Sequence, residues 1–247
     1  WACQSQNNNS LQNKNEPEQH WSYEGETSPE HWSEIEKNSD CSGKYQSPIN
    51  LLQIDAQKEG FPEKALALYY SDQTQLLDVV NNGHSVQFDF EKGDSIQYRD
   101  NIYQLSQIHF HEPAEHTING IRYPIEIHLV HISKKSEFTV LSIMGQENEE
   151  SQLFEFFESF LPIKEGQKKE IHQPTDLMSL FPEKKSFLTY QGSLTTPPCT
   201  ENVNWIVFNT PIDLSLEEVL KLKKNMPLNN YRNEQPLNQR KVYLGSL

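Results

Sequence analysis

The run Gln107-Ile-His-Phe-His111, followed after a short connection by Glu126-Ile-His-Leu-Val-His131, decides how this chain is read. Successive side chains of a strand alternate between faces, so Gln107, His109 and His111 share one face while Ile108 and Phe110 lie behind them. The segment between the runs carries Pro113 and an Asn119-Gly120 pair, which predicts a connection leading into a second strand over 122–132. On that strand Glu126, His128 and Val130 share a face. If the two strands are neighbours, three neutral imidazoles converge and a fourth tetrahedral position stays open, the ligand pattern of a catalytic rather than a structural zinc site. Gln107 and Glu126 each stand two residues before a histidine, where they can accept ring N–H bonds and fix the imidazole tautomers. A lone His-x-His pair is more often a polar face or a satisfied core histidine. The second strand and the two acceptors favour metal.

Outward from these runs, alternating patterns predict strands at Ala65–Tyr70, Leu76–Val80, His84–Phe90, Ile102–His111, Phe138–Met144, Ser186–Gln191 and Val203–Phe208. Helical spacing marks Ser151–Phe160 and Ser215–Lys224, the latter opening with a Ser215-to-Glu218 capping box and closing on lysines that suit a helix C-terminus. Short turns such as Asn81-Asn-Gly83 favour antiparallel neighbours. The expected class is mainly β (α+β). Residues 1–19 are nearly all polar and read as a disordered tail, leaving 20–247 as a single domain.

A formal charge of −14 argues against nucleic-acid binding. No apolar run approaches the roughly 18 residues needed to cross a bilayer. Of three cysteines, none shows metal-binding Cys-x-x-Cys spacing. Trp1-Ala-Cys3 followed by a polar tether looks like a lipoprotein junction, with Cys3 as lipid acceptor; an unpaired tail thiol is the alternative.

From His20 onward the chain resembles the alpha-class carbonic anhydrases, through Trp21-Ser-Tyr23, Gln46-Ser-Pro-Ile-Asn50, Asn81-Asn-Gly-His84, the histidine strands, Ser193-Leu-Thr-Thr-Pro-Pro198, Trp205 and Tyr231-Arg232. The resemblance implies a twisted, mostly antiparallel central sheet with peripheral helices. It also implies reversible hydration of carbon dioxide to bicarbonate by zinc-bound hydroxide, with Zn2+ on His109, His111 and His128. Thr195 and Glu115 would aim the hydroxide, and His84 would shuttle protons through waters ordered by Tyr23, Asn82, Gln87, Gln107 and Thr196. Val130, Val140, Leu194, Val203 and Trp205 would form the apolar substrate wall. His116 and His131 are expected to be buried and structural, and His20, His31 and His172 receive no role. Secreted relatives imply a Cys41–Cys199 disulfide, hence a periplasmic or extracellular location; two free buried thiols are the alternative. Sulfonamide or anion inhibitors are expected partners, and a homodimer is possible. Two departures stand out: Glu112, where tryptophan is common, and Gln87, where asparagine is common. Relatives that kept the fold for binding after losing a zinc histidine give a second functional class, disfavoured here by the intact ligand set; a zinc hydrolase of peptides or larger esters lacks a recognisable cleft.

Overall fold

The computed structural model describes residues 20–58, 60–62, 64–225 and 229–247. Cys3 and the polar tail lie outside the described residues. Twelve strands of the described chain join one sheet. Its main path runs Lys168–Thr175, Thr74–Asn81, Val86–Phe90, Asn101–His111, Ile125–Ser133, Phe138–Glu147, Glu201–Phe208, Ser186–Ser193 and Tyr243–Ser246. Neighbours are antiparallel except where Glu201–Phe208 and Ile212–Leu214 lie parallel to Phe138–Glu147, so the sheet is mixed. Among the described residues no helix is long and apolar enough to cross a membrane.

The central strands are buried on both faces, and each face has its own core. Ile108, Phe110, Ile127, Leu129, Leu141 and Ile143 pack on one face with Phe154 and Phe157 of helix Gln152–Glu158 and Val219 and Leu222 of helix Leu216–Lys224. Val130, Val140, Val203 and Trp205 belong to a second cluster on the other face. Both helices begin where side-chain oxygens replace missing backbone acceptors: Ser151 Oγ accepts from Phe154 N at 3.2 Å, and Ser215 and Glu218 form the expected reciprocal capping box.

One irregularity places the site. Leu105 pairs with His131 and Gln107 with Val130, so Ser106 is an extra residue bulging from its strand. Under strict alternation Tyr103, Leu105, Gln107, His109 and His111 would share a face; the bulge resets the phase. Tyr103 and Leu105 join the large core together with Ile108 and Phe110, and Gln107, His109 and His111 turn to the opposite side. The expected uninterrupted strand over Ile102–His111 is therefore two phases joined at Ser106. The following strand starts at Ile125 rather than 122, because Pro124 has no N–H for the ladder. Likewise His84 sits in the turn before its expected strand: Asn82 Oδ1 accepts the His84 and Ser85 N–H groups at 2.9 and 2.8 Å, and pairing begins at Val86.

Candidate metal centre and active site

Register brings the histidines together. His109 is directly opposite His128, and His111 opposite Glu126. Their ligand atoms lie within 4.8 Å of one another, with His111 and His128 buried and His109 half-buried.

Each ring has its second nitrogen committed to an acceptor. His109 Nδ1 donates to Gln107 Oε1 at 2.9 Å, His111 Nδ1 to the Asn230 carbonyl at 2.5 Å, and His128 Nε2 to Glu126 Oε1 at 2.7 Å. These bonds leave lone pairs on His109 Nε2, His111 Nε2 and His128 Nδ1, all facing one point. Burial holds all three imidazoles below the usual histidine range, His111 down to about 4, which keeps them neutral and able to ligate.

The donor set fits a divalent cation. His111 Nε2 is buried with no hydrogen-bond partner. His109 Nε2 and His128 Nδ1 are 3.2 Å apart, close to the roughly 3.3 Å that a tetrahedral ion with Zn–N near 2.05 Å would impose. Two lone pairs facing at that distance repel unless a cation lies between them. Three neutral imidazoles with an open fourth position suit zinc.

Glu126 organises the centre from behind. Its Oε2 accepts the Glu115 and His116 N–H groups, and Oε1 accepts from His128 Nε2, His116 Nδ1 and Ser142 Oγ, all at 2.7 Å. Burial alone would raise this carboxyl, but His116 and His128 beside it, with their hydrogen bonds, hold it well below the usual carboxylate range. The chain of contacts continues from His116 Nε2 to the Tyr190 hydroxyl at 2.6 Å. His116 and His131 are fully buried, as expected; His131 is held by Tyr70 and the Leu129 carbonyl.

Glu115 is also fully buried, with Oε1 accepting Arg232 N–H at 3.0 Å and Oε2 3.5 Å from His111 Nε2. Burial pushes its carboxyl up to about 7, against lowering by His128 and by a hydrogen bond from the Thr195 side chain. A divalent cation on the histidines would pull it back down. Thr195 is buried in the loop closed by the Cys41–Cys199 disulfide, which bears out the expected pairing, and Cys199 N–H donates to the Thr196 carbonyl at 2.8 Å. Val130, Val140, Val203 and Trp205 form one apolar cluster with Leu194 packed against it, and the Trp205 ring lies 4.9 Å from that of His128.

At the outer end, His84 is half-buried and stacked on Trp21, with ring centroids 3.7 Å apart and planes 14° apart; Tyr23 meets it edge-on at 6.4 Å. Burial first, then His20, lower its pKa, while Glu165 raises it. Gln87 Nε2 donates to Asp89 Oδ1 at 2.6 Å, so its amide is held beside the strand pair carrying His109. Glu112, at the position where tryptophan is common, has its Oε1 paired with Lys223 Nζ at 2.9 Å.

Sequence reasoning missed three contributors. Asn230, fully buried, supplies the acceptor for His111, takes Glu112 N–H on Oδ1 and donates Nδ2 to the His84 and Phe110 carbonyls. Only its place beside Tyr231-Arg232 hinted at this. Arg232 is nearly buried, donating to Gln46, Ser47 and Cys41 while its backbone holds Glu115. His20, given no role, bonds to His84 at 3.2 Å.

Comparison with known proteins finds relatives over nearly the whole of the described chain. The family model described as eukaryotic-type carbonic anhydrase matches residues 27–246. A carbonic anhydrase of Klebsiella pneumoniae is 37% identical over 227 residues, covering 90% of each chain, and one of Pectobacterium carotovorum is 34% identical over 224 residues, covering 90% of this chain and 89% of that one. The solved alpha-carbonic anhydrase of Thermovibrio ammonificans in complex with the inhibitor sulfanilamide is 38% identical, with a TM-score of 0.85 over 91% of this chain and 98% of that one.

Proposed function

Since this chain belongs to the eukaryotic-type carbonic anhydrase family, we propose that it interconverts carbon dioxide and bicarbonate at the three-histidine centre, with zinc as cofactor and His84 as proton shuttle. The observation that carries the reading is the convergence of three imidazole lone pairs, each fixed by an acceptor on the opposite ring nitrogen. Zinc held there supplies Lewis acidity that lowers the pKa of a water to about 7, a value for which carbonic anhydrase is itself the reference case.

The chain's own groups do the rest. Thr195, with its hydroxyl proton directed to Glu115, offers only lone pairs to the centre, so it accepts a hydrogen bond from the nucleophile and turns the reactive lone pair toward substrate. Glu126, Gln107 and the Asn230 carbonyl hold the rings and fix their tautomers, while burial keeps them neutral. Carbon dioxide has no charge to grip, and the wall of Val130, Val140, Leu194, Val203 and Trp205 holds it by apolar contact. Each turnover leaves a proton to remove. His84 at the rim is the acceptor whose ordinary pKa lies closest to neutral, reached through waters lining Tyr23, Asn82, Gln87, Gln107 and Thr196. Sulfonamides and small anions would compete at the same centre. The buried disulfide supports an oxidising compartment, periplasmic or extracellular.

The test is Thr195→Ala at full zinc occupancy. Losing the aiming group should lower kcat/KM for hydration by about a hundredfold with zinc retained. A wild-type rate would overturn the assignment of Thr195 and Glu115.

A further inference from the structure

His84 does not stand alone at the rim. Its Nε2 faces His20 Nε2 at 3.2 Å, and its ring lies flat on Trp21, the residue next to His20. Both histidines are accessible to solvent, His20 more so, which makes His20 the outer member of the pair. Two imidazole nitrogens at that separation share one proton: one donates N–H and the other presents its lone pair. Among the described residues, the groups facing the pair are few. The N-terminal segment supplies Trp21 and the Tyr23 ring, and Glu165 approaches from the connection before strand Lys168–Thr175, acting on His84 as a negative charge. Asn82 and Asn230 bind the His84 backbone and leave its ring to these neighbours.

This arrangement has a chemical consequence. When His84 takes up a proton it becomes a cation beside a second imidazole, and like charge disfavours both rings holding an added proton together. A proton on His84 Nε2 therefore has an immediate acceptor, while the indole platform keeps the two nitrogens aligned. The shared contact also ties His84 outward, toward solvent.

We propose that His20 and His84 form a two-histidine proton outlet in which His20 relays protons from His84 to buffer bases in solution. The inference rests on the reading of His84 as shuttle. In the step itself the His84 Nε2–H bond breaks as His20 Nε2–H forms, and His20 Nδ1–H breaks as its proton passes to a solution base. One proton enters and one leaves. Exchange with water then restores the Nδ1–H tautomer of His20.

Hydration measured on the zinc-loaded protein in weak and in strong buffer tests this with His20→Gln, His20→Ala, His84→Ala and the double variant His20→Ala/His84→Ala. Glutamine keeps a hydrogen bond to His84 but carries no proton. The relay predicts that His20→Gln and His20→Ala are both several-fold slower than wild type in weak buffer, recover in strong buffer or with added imidazole, and add nothing to His84→Ala. If His20→Gln matches wild type while His20→Ala is slow, His20 only positions His84 and the relay is refuted. If both His20 variants run at the wild-type rate while His84→Ala is slow, the shuttle stands and the relay falls. A wild-type rate for His84→Ala in weak buffer removes both.

Discussion

Glu126→Gln probes the framework behind the metal centre most sharply. The carboxylate accepts five hydrogen bonds at 2.7 Å and is completely buried. Glutamine has the same shape but replaces one acceptor with a donor pair. If the new NH2 occupies the Oε2 position it meets the Glu115 and His116 N–H groups; if it occupies the Oε1 position it meets His128, His116 and Ser142. Either way at least two buried donors lose their acceptor. Hydrogen bonds to a charged group contribute about 1.5–3 kcal/mol each, so two lost bonds cost about 3–6 kcal/mol. Removing one member of a buried charged set costs about 3–5 kcal/mol, in the same range. His128 can escape part of the clash by moving its proton to Nδ1, but that blocks its lone pair toward the metal. Zinc affinity should therefore fall about 10–100-fold as well. Denaturant unfolding of the metal-free protein reads the first effect and chelator competition the second. A loss under about 1 kcal/mol, the size of one ordinary neutral hydrogen bond, with unchanged zinc affinity would refute the reasoning.

Two further outcomes follow from buried groups. His131 donates Nδ1–H to Leu129 and accepts the Tyr70 hydroxyl on Nε2, and burial drives its pKa from 6.5 to about 3. The unfolded chain thus binds a proton that the native state refuses: the contribution of neutral His131 is intact above about pH 6.5 and declines by about 1.4 kcal/mol per pH unit as pH falls toward 3. Urea unfolding at pH 7 and pH 5 should lose about 2 kcal/mol more in wild type than in His131→Gln, and equal losses would contradict the assignment. Replacing both disulfide cysteines with serine, Cys41→Ser and Cys199→Ser, opens a closure spanning 158 residues. Chain entropy puts the cost near 5 kcal/mol, a fall in Tm of about 10–20 °C; a shift of a degree or two would show that the unfolded chain is little restrained by the bridge.

The histidine strands were legible because ligand chemistry imposes a period on the sequence: His109, His111 and His128, with Gln107 and Glu126 two residues before ligands, have no need of tertiary information to be noticed. Their mutual placement was less so. Nothing in Leu105-Ser-Gln107 announces a bulge, since a bulge is a property of a strand pair, and yet Ser106 is what turns the histidines away from the large core. Strand Lys168–Thr175 escaped notice because it is an exposed sheet edge of lysines, glutamate and proline, lacking the apolar alternation that marks a strand with one face on a core. Asn230 was hidden for another reason: it acts on His111 through its backbone carbonyl, a group every residue has. His20 reaches the site only through a contact spanning 64 positions along the chain.

The central claim is a zinc-dependent hydrase on three neutral histidines. Its most direct test is stopped-flow hydration of carbon dioxide by protein carrying one zinc per chain, beside the same protein stripped by chelator and then reloaded. The account predicts rapid proton release that vanishes with the metal and returns with it, and that is lost again when His128 is replaced by alanine. Full zinc occupancy with hydration no faster than the uncatalysed background would contradict it.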